Sequence, residues 1–425
     1  SKDLSIKVSI RFFVIFLFIR FFGFSIFRIN LQVFHIPISV ALLLLLLILN
    51  LTYIIIFDTK IKLEKYSTRF FQLLLMLIFI MILNTYVYMF NDVDIIWAVK
   101  SIIRVIISAC VFFTILYFLP RDKKYIEIYM YVMIWSSTLL VSIYLYKYLS
   151  VNSTFLAPSW DLSGGVTGSG KNSLAFYLSI SLVVILWKYL DSKVLSIWLI
   201  PLSVHAVALV YAQSRSSWLV FVVSFLLVHY LFKRRIRGKS RGLLVYLSRI
   251  ILLVVMSAFI VFISDGSIKE EIIGRFELLI SFIFLNNQEG DGSVITRFFM
   301  LKKALTIFLE NPLLGVGTNM YPFSNPGDWF GEVYGLVAHN DYMMILSEHG
   351  IIGFSIIIAM LFQIVKTMFH FNKITWIDIS LFQMVFVIIL QMLFMDILYF
   401  TFSYIIFGLF FLLFSVQKKS MVVEK

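Results

Sequence analysis

Cysteine and charge are what this sequence has least of. Cys110 is the single cysteine in 425 residues, and it lies inside an apolar run. No disulfide framework can form, and cysteine usage says nothing about compartment. Charged residues make up 14% of the chain, where a soluble domain carries roughly a quarter. The other side of that shortage is a 61% hydrophobic composition and a mean hydropathy of +0.97. A soluble core cannot hide so much apolar surface, so soluble enzymes and soluble binding modules are excluded. Apolar runs of bilayer-spanning length recur from end to end, as transmembrane helices require.

The net charge of +13 would suggest nucleic acid in a soluble protein. Here the cations gather in short loops between apolar runs, so no nucleic-acid partner is expected. Twelve spans are predicted, at about 8–27, 34–57, 70–90, 98–119, 127–149, 172–190, 194–213, 216–232, 243–264, 350–369, 376–396 and 399–416. With that count, 22 basic residues fall on one side, among them Lys60, Lys62, Lys123, Lys124 and the run from Lys233 to Arg241. The short loops of the other side carry three, Arg28, Lys171 and Arg215. This is the positive-inside asymmetry, and it places both termini in the cytoplasm. No small-residue cleavage site follows the first run, which therefore reads as a retained helix.

The expected class is an all-α polytopic membrane protein. Residues 1–264 hold nine helices, with a short Gly- and Ser-rich outer loop at 150–171. Residues 265–349 form one long outer loop, and 350–425 hold three more helices and a cytoplasmic tail. Long loops in compact proteins are usually functional or disordered. This one is too apolar for disorder. Ile268 to Leu285 and Phe298 to Leu309 read as amphipathic helices at the membrane surface. Pro312 stops the second, and Gly315 and Gly317 mark a turn. No internal repeat is evident.

Several polar residues stand out against this background. Gly165 to Lys171 nearly matches a P-loop, but Asn172 replaces the Ser or Thr and no strand precedes it. ATP is excluded; an anion nest and a flexible loop with a helix cap both remain open. Arg215, in Gln213-Ser-Arg-Ser-Ser217, has no acidic residue nearby in sequence. Arginine at membrane depth is costly, so Arg215 either snorkels to the interface or awaits a phosphate that its planar fork suits. Arg297 opens the second amphipathic helix, where a cation opposes the macrodipole unless an anion lies near. It reads either as that or as a solvated surface residue. Lys100 and Arg104 are four apart on one helix face and should repel each other.

The strongest signal is Ala338-His-Asn-Asp-Tyr342 followed by Glu348-His-Gly-Ile-Ile-Gly353. Among six histidines, His339 is the one flanked by polar groups at a loop–helix junction on the outer face. A general base and a helix-capping histidine are both consistent with that position. Metal binding is not expected, because His339, Asp341 and His349 lack ligand spacing and no cysteine is available.

These residues, taken in order, resemble the O-antigen ligase and O-antigen polymerase superfamily. The likeness rests on Ser214-Arg-Ser-Ser217, on Arg297 with Asn311-Pro-Leu-Leu-Gly-Val-Gly317, and on Asn172. His339-Asn340 with Glu348-x-Gly350-x-x-Gly353 completes it. The motifs cover 165–355, and the topology covers the whole chain. The resemblance implies a membrane-embedded, lipid-donor glycosyltransferase of GT-C-like architecture in a bacterial inner membrane, with its site on the periplasmic face. It implies transfer of a glycan from undecaprenyl pyrophosphate to an acceptor sugar hydroxyl, without cofactor or metal and with inversion. By matching position, His339 is the expected base, and Arg215, Arg297, Lys171, Arg104 and Lys100 are expected to hold the pyrophosphate. Asn172, Asn340, Asp341 and Glu348 are expected to support them.

The expected partners are the undecaprenyl-pyrophosphate-linked oligosaccharide, a glycan acceptor, the membrane and a chain-length regulator. Glu348-x-Gly350 favours a repeat-unit polymerase; the alternative is a ligase acting on lipid A–core. A flippase or secondary transporter is a third reading. Such folds usually show two similar halves and short loops, which this chain lacks.

Overall fold

The computed structural model describes residues 28–31, 34–37, 64–88, 95–119, 121–150, 170–192, 197–212, 214–236, 292–324, 336–371, 374–398 and 401–423. The expected spans at 8–27 and 243–264, the amphipathic stretch Ile268 to Leu285 and most of the 150–171 loop lie outside them. The described chain is helical apart from one hairpin. Strands β1 (Arg28–Leu31) and β2 (Phe34–Pro37) pair antiparallel, with Arg28 opposite Pro37 and Leu31 opposite Phe34. The span expected at 34–57 therefore does not begin at residue 34. Ile36 and Pro37 belong to the strand, and a proline following a β-branched residue suits extended backbone better than a helix start.

Ten helices follow among the described residues: α1 (Lys65–Tyr88), α2 (Ile95–Phe118), α3 (Lys123–Ser150), α4 (Gly170–Asp191), α5 (Leu199–Tyr211), α6 (Arg215–Ile236), α7 (Gly292–Glu310), α8 (Asp341–Met368), α9 (Trp376–Gln391) and α10 (Thr401–Val423). Four contain stretches long and apolar enough to cross a bilayer: Lys65–Val87, Ile95–Tyr117, Leu174–Asp191 and Asp341–Met368. The protein is a multi-pass membrane protein.

Helix α1 shows why water is excluded as its solvent. Phe70, Leu74, Leu77 and Met81 are buried on one face, while Leu75, Phe79, Ile82 and Tyr86 are exposed on the other. A helix apolar on every side is stable only in a large core or in lipid. Its start is set by Glu64, whose carboxylate accepts the Tyr66 N–H at 2.7 Å and whose carbonyl accepts the Ser67 and Thr68 hydroxyls.

The chain divides into two units. In the first, α4 packs on α3, α5 and α6. Two polar links pass through its apolar interior. The Trp187 indole N–H donates to Gln383 Oε1 at 2.6 Å, and Gln383 Nε2 donates to Ser224 Oγ. His205 bonds the Pro201 carbonyl at 2.8 Å and the Ser137 hydroxyl at 3.0 Å. Buried polar atoms in lipid-embedded helices need such partners.

In the second unit, α2 packs on α10, α1 on α2 and α8, and α7 on α8. Phe70, Phe112 and Phe411 form its aromatic centre, with ring centroids 4.9 and 5.2 Å from Phe70. Helix α8 bends at Gly350, whose φ of 60° and ψ of −164° break the helical path. The break separates a short stretch, 341–349, from the long apolar one. That short stretch had been expected to be part of the long outer loop.

Candidate active site

The second unit brings His339, Arg297 and the Asn-Asp-Tyr run into one neighbourhood. His339 immediately precedes the α8 cap and takes a φ of 50°, in the left-handed region. For a residue other than glycine this conformation costs on the order of 1–3 kcal/mol. It persists because the next three residues are each tied down. Asn340 caps α8, its Oδ1 accepting the Met343 N–H at 3.0 Å, and its Nδ2 donates to the Leu393 carbonyl. The Asp341 N–H donates to the Met392 carbonyl at 2.8 Å. One Asp341 oxygen accepts the N–H groups of both Ile397 and Leu398, at 2.8 and 2.9 Å. The Tyr342 hydroxyl donates to the Ile389 carbonyl. Asn340 and Asp341, expected as supporting residues, thus clamp the His339 segment onto the 389–398 turn.

His339 itself is half-buried. Burial, and then the positive field of Arg297, push its imidazole down to about 4. The ring is therefore neutral at physiological pH and able to accept a proton. Arg297 does not open its helix, as the sequence had suggested. Gly292 does, and Arg297 stands in the second turn, half-buried. The macrodipole argument weakens at that depth. The action of Arg297 on His339 replaces it as the reason to regard Arg297 as part of a site.

Tyr321 holds α7 beside α8. Its hydroxyl donates to the Met300 carbonyl at 2.7 Å, and its N–H donates to Glu348 Oε1 at 3.3 Å. Beneath it lies Lys303, fully buried, with Nζ 4.9 Å from the Tyr321 ring centre and 3.3 Å from the Pro322 carbonyl. Burial pushes that ammonium down to about 8. Glu348, also expected as a supporting residue, is buried. It fastens the loop by accepting the Tyr321 N–H.

The Asn311 to Gly317 turn and the α8 bend interlock. The Val316 and Gly317 N–H groups donate to the Ser347 and Glu348 carbonyls, and the Ile351 N–H donates to the Pro312 carbonyl. Asn84 of α1 closes the joint, its Nδ2 donating to the Leu314 carbonyl at 2.7 Å and reaching His349 Nδ1 at 3.2 Å. His349 is fully buried there; its Nδ1 meets Asn84, and its Nε2 has no hydrogen-bond partner among the described residues.

The other expected residues belong to other elements. Lys100 lies on α2 with its ammonium 4.6 Å from the Trp97 ring centre, and Trp97 contacts Phe323. Arg104 is half-buried one turn further along α2. Lys171, Asn172 and Arg215 belong to the first unit. Lys171 and Asn172 sit in the first turn of α4, and Arg215 is the first residue of α6. The side chains of Lys171 and Arg215 are not among those described. Asn172 Oδ1 accepts the Ser214 hydroxyl at 2.9 Å, and Ser214 also lies 3.1 Å from the Ser217 hydroxyl. This tether joins two helix N-termini, each carrying a cation. Among the described residues, no group of three His, Cys, Asp or Glu side chains is placed to hold a metal ion.

Residues 200–358 match the family model described as O-antigen ligase. That segment, somewhat over a third of the chain, is similar to the O-antigen ligase family. It runs from α5 into α8 and includes Arg215, Arg297 and His339. No curated protein matches the chain. The ligase-family match and the membrane-spanning helices together agree with glycan transfer at the membrane. Sequence reading missed Asn84, Lys303, Tyr321 and Asp396. Asn84 and Asp396 carried a usable signal, being polar residues within or at the end of apolar runs.

Proposed function

We propose that this protein, whose residues 200–358 match the O-antigen ligase family model, is a glycosyltransferase that moves a glycan from a polyprenyl diphosphate to a sugar hydroxyl. The observation that carries the reading is the pairing of a half-buried, neutral His339 with the Arg297 cation. His339 takes the proton from the acceptor hydroxyl as that oxygen attacks the anomeric carbon. The bond from that carbon to the diphosphate oxygen breaks, and the diphosphate leaves with the electron pair. Direct displacement inverts the anomeric centre. Guanidinium forks meet the charge that develops on the leaving group. Arg297 and Arg215 are assigned this part, with Lys171, Lys100 and Arg104 contributing positive potential. An arriving diphosphate also offsets the Arg297 field at His339, making the base stronger when substrate is bound.

The family description favours the ligase reading, with lipid A–core as acceptor. Glu348-x-Gly350 had pointed to a polymerase. Burial of Glu348 and its bond from the Tyr321 N–H give that pattern a packing explanation instead. The proposed orientation places His339 on the periplasmic face, both termini in the cytoplasm, and the twelve-span GT-C-like arrangement around them. A transporter reading has no support from the family match.

Purified protein incubated with lipid-linked repeat units tests the assignment. Transfer only on adding lipid A–core is the expected result. A ladder formed from the lipid-linked units alone means polymerase. Absence of glycan transfer with either acceptor overturns the enzyme reading.

A further inference from the structure

Two buried carboxyl groups lie in the clamp that holds His339. One Asp341 oxygen accepts two backbone N–H groups, from Ile397 and Leu398. Two such donors favour the ionised form. The other Asp341 oxygen is buried and has no hydrogen-bond partner among the described residues. The same holds for both carboxyl oxygens of Asp396, which lies in the turn that Asp341 grips. The two side chains interact electrostatically. The other charged group acting on Asp341 is Glu348, again acidic; Tyr321, Tyr342 and Tyr404 feel the same carboxyls, but the Tyr321 and Tyr342 hydroxyls donate to the Met300 and Ile389 carbonyls. Two neighbouring buried carboxylates, with no cation among the described groups that act on either, cannot both stay ionised. The N–H donors assign the charge to Asp341, so the proton belongs on Asp396.

We propose that Asp396 is a positioning residue for His339: its protonated carboxyl donates to the open oxygen of Asp341 and locks the 389–398 turn under the His339–Tyr342 segment. One proton is shared by the pair, and none is consumed. Burial pushes the Asp396 carboxyl up from 3.8 to about 7. A raised carboxyl contributes stability that is complete below pH 4 and is lost as pH rises toward 7 and beyond. The clamp is therefore tight in mild acid and loosens in alkali. Its consequence for catalysis rests on the base role proposed for His339.

The test compares wild type, Asp396→Asn and Asp396→Ala in detergent, by thermal unfolding and by glycan transfer, from pH 5 to 8.5. Asparagine keeps a donor for Asp341 but cannot ionise. The wild-type melting temperature is expected to fall across this range while that of Asp396→Asn stays level. Asp396→Asn is expected to keep transfer at pH 6 and to exceed wild type at pH 8.5. Asp396→Ala is expected to lose kcat by at least ~10-fold with donor KM unchanged, as displacement of a reacting group requires. Parallel melting curves for wild type and Asp396→Asn would overturn the shared proton. Wild-type kcat in Asp396→Ala would overturn the positioning role. The unfolding arm needs neither donor nor acceptor, so it can fail or succeed independently of His339 as base.

Discussion

Gly315 sits so close to Glu348 that a Cβ added to it would lie 2.3 Å from the Glu348 carbonyl carbon. The contact is backbone against backbone, and it is reciprocal. A Cβ on Gly350 would lie 2.3 Å from the Leu313 carbonyl oxygen. Both glycines have positive φ, 69° and 60°. Alanine at either position therefore meets a strained backbone and a clash that no side-chain rotation relieves. Gly350→Ala should lower stability by at least about 2 kcal/mol. Thermal unfolding in detergent measures it. A melting temperature equal to wild type would show that the joint tolerates separation.

The two neighbouring histidines should separate cleanly. His339→Ala removes the proposed base while leaving the Asn340 and Asp341 bonds in place, so the protein should fold and bind lipid donor. Transfer should fall by at least ~10²-fold. His349→Ala instead removes the Asn84 contact in a fully buried site. Its cost should appear in the melting temperature, with kcat of the folded fraction much less affected. Near-wild-type turnover by folded His339→Ala would move the base to another group, such as the Glu332 carboxylate.

Arg297 is predicted to set the acid limit of the reaction. Burial first, and Arg297 second, bring His339 down from 6.5 to about 4. A depressed histidine keeps its neutral form until pH falls through the lowered value, whereas its contribution to stability, complete above 6.5, is lost as pH falls from 6.5 to about 4. The free enzyme's kcat/KM should therefore hold its plateau well below pH 6.5. Arg297→Gln removes one of the two causes and should shift the acid limb upward, toward 6.5. The pH profiles of the two proteins decide this. An unmoved limb in Arg297→Gln would mean that Arg297 does not act on the catalytic group.

Much of this architecture was legible because membrane helices announce themselves by length and hydropathy. The spans of α1 to α4 follow the apolar runs closely, and Pro312, Gly315 and Gly317 act as the sequence indicates. The faces of those helices were not legible. Leu74 and Leu75 are equally apolar, yet one is buried and the other exposed, and only packing decides which. His339 was found because a polar junction residue is visible locally. The clamp was hidden because Asp341 is bound by Ile397 and Leu398, and His349 by Asn84, across long separations in sequence. Glu348 seemed a chemical group for the same reason. Its partner Tyr321 lies across the interlocked turn, and nothing local indicated the contact.

Arg215 provides the last prediction. It is the first residue of α6, next to Ser214, which is bonded to Asn172 in the first turn of α4. Two helix N-termini joined in this way concentrate partial positive charge, to which Arg215 and Lys171 add full charges. Such a place suits an anion, and a guanidinium can engage a diphosphate through two parallel N–H bonds. Lysine offers the same charge as a point, without the fork. If Arg215 grips diphosphate, Arg215→Lys should be poorly active although correctly inserted, with the loss falling on the step where leaving-group charge develops. A snorkelling arginine would tolerate lysine, which reaches the interface equally well. The same argument makes the cations sufficient for the leaving group, so EDTA should leave transfer intact. Activity lost in EDTA and regained with magnesium would show that a metal ion shares the task. Wild-type rates in Arg215→Lys would remove Arg215 from the binding of diphosphate.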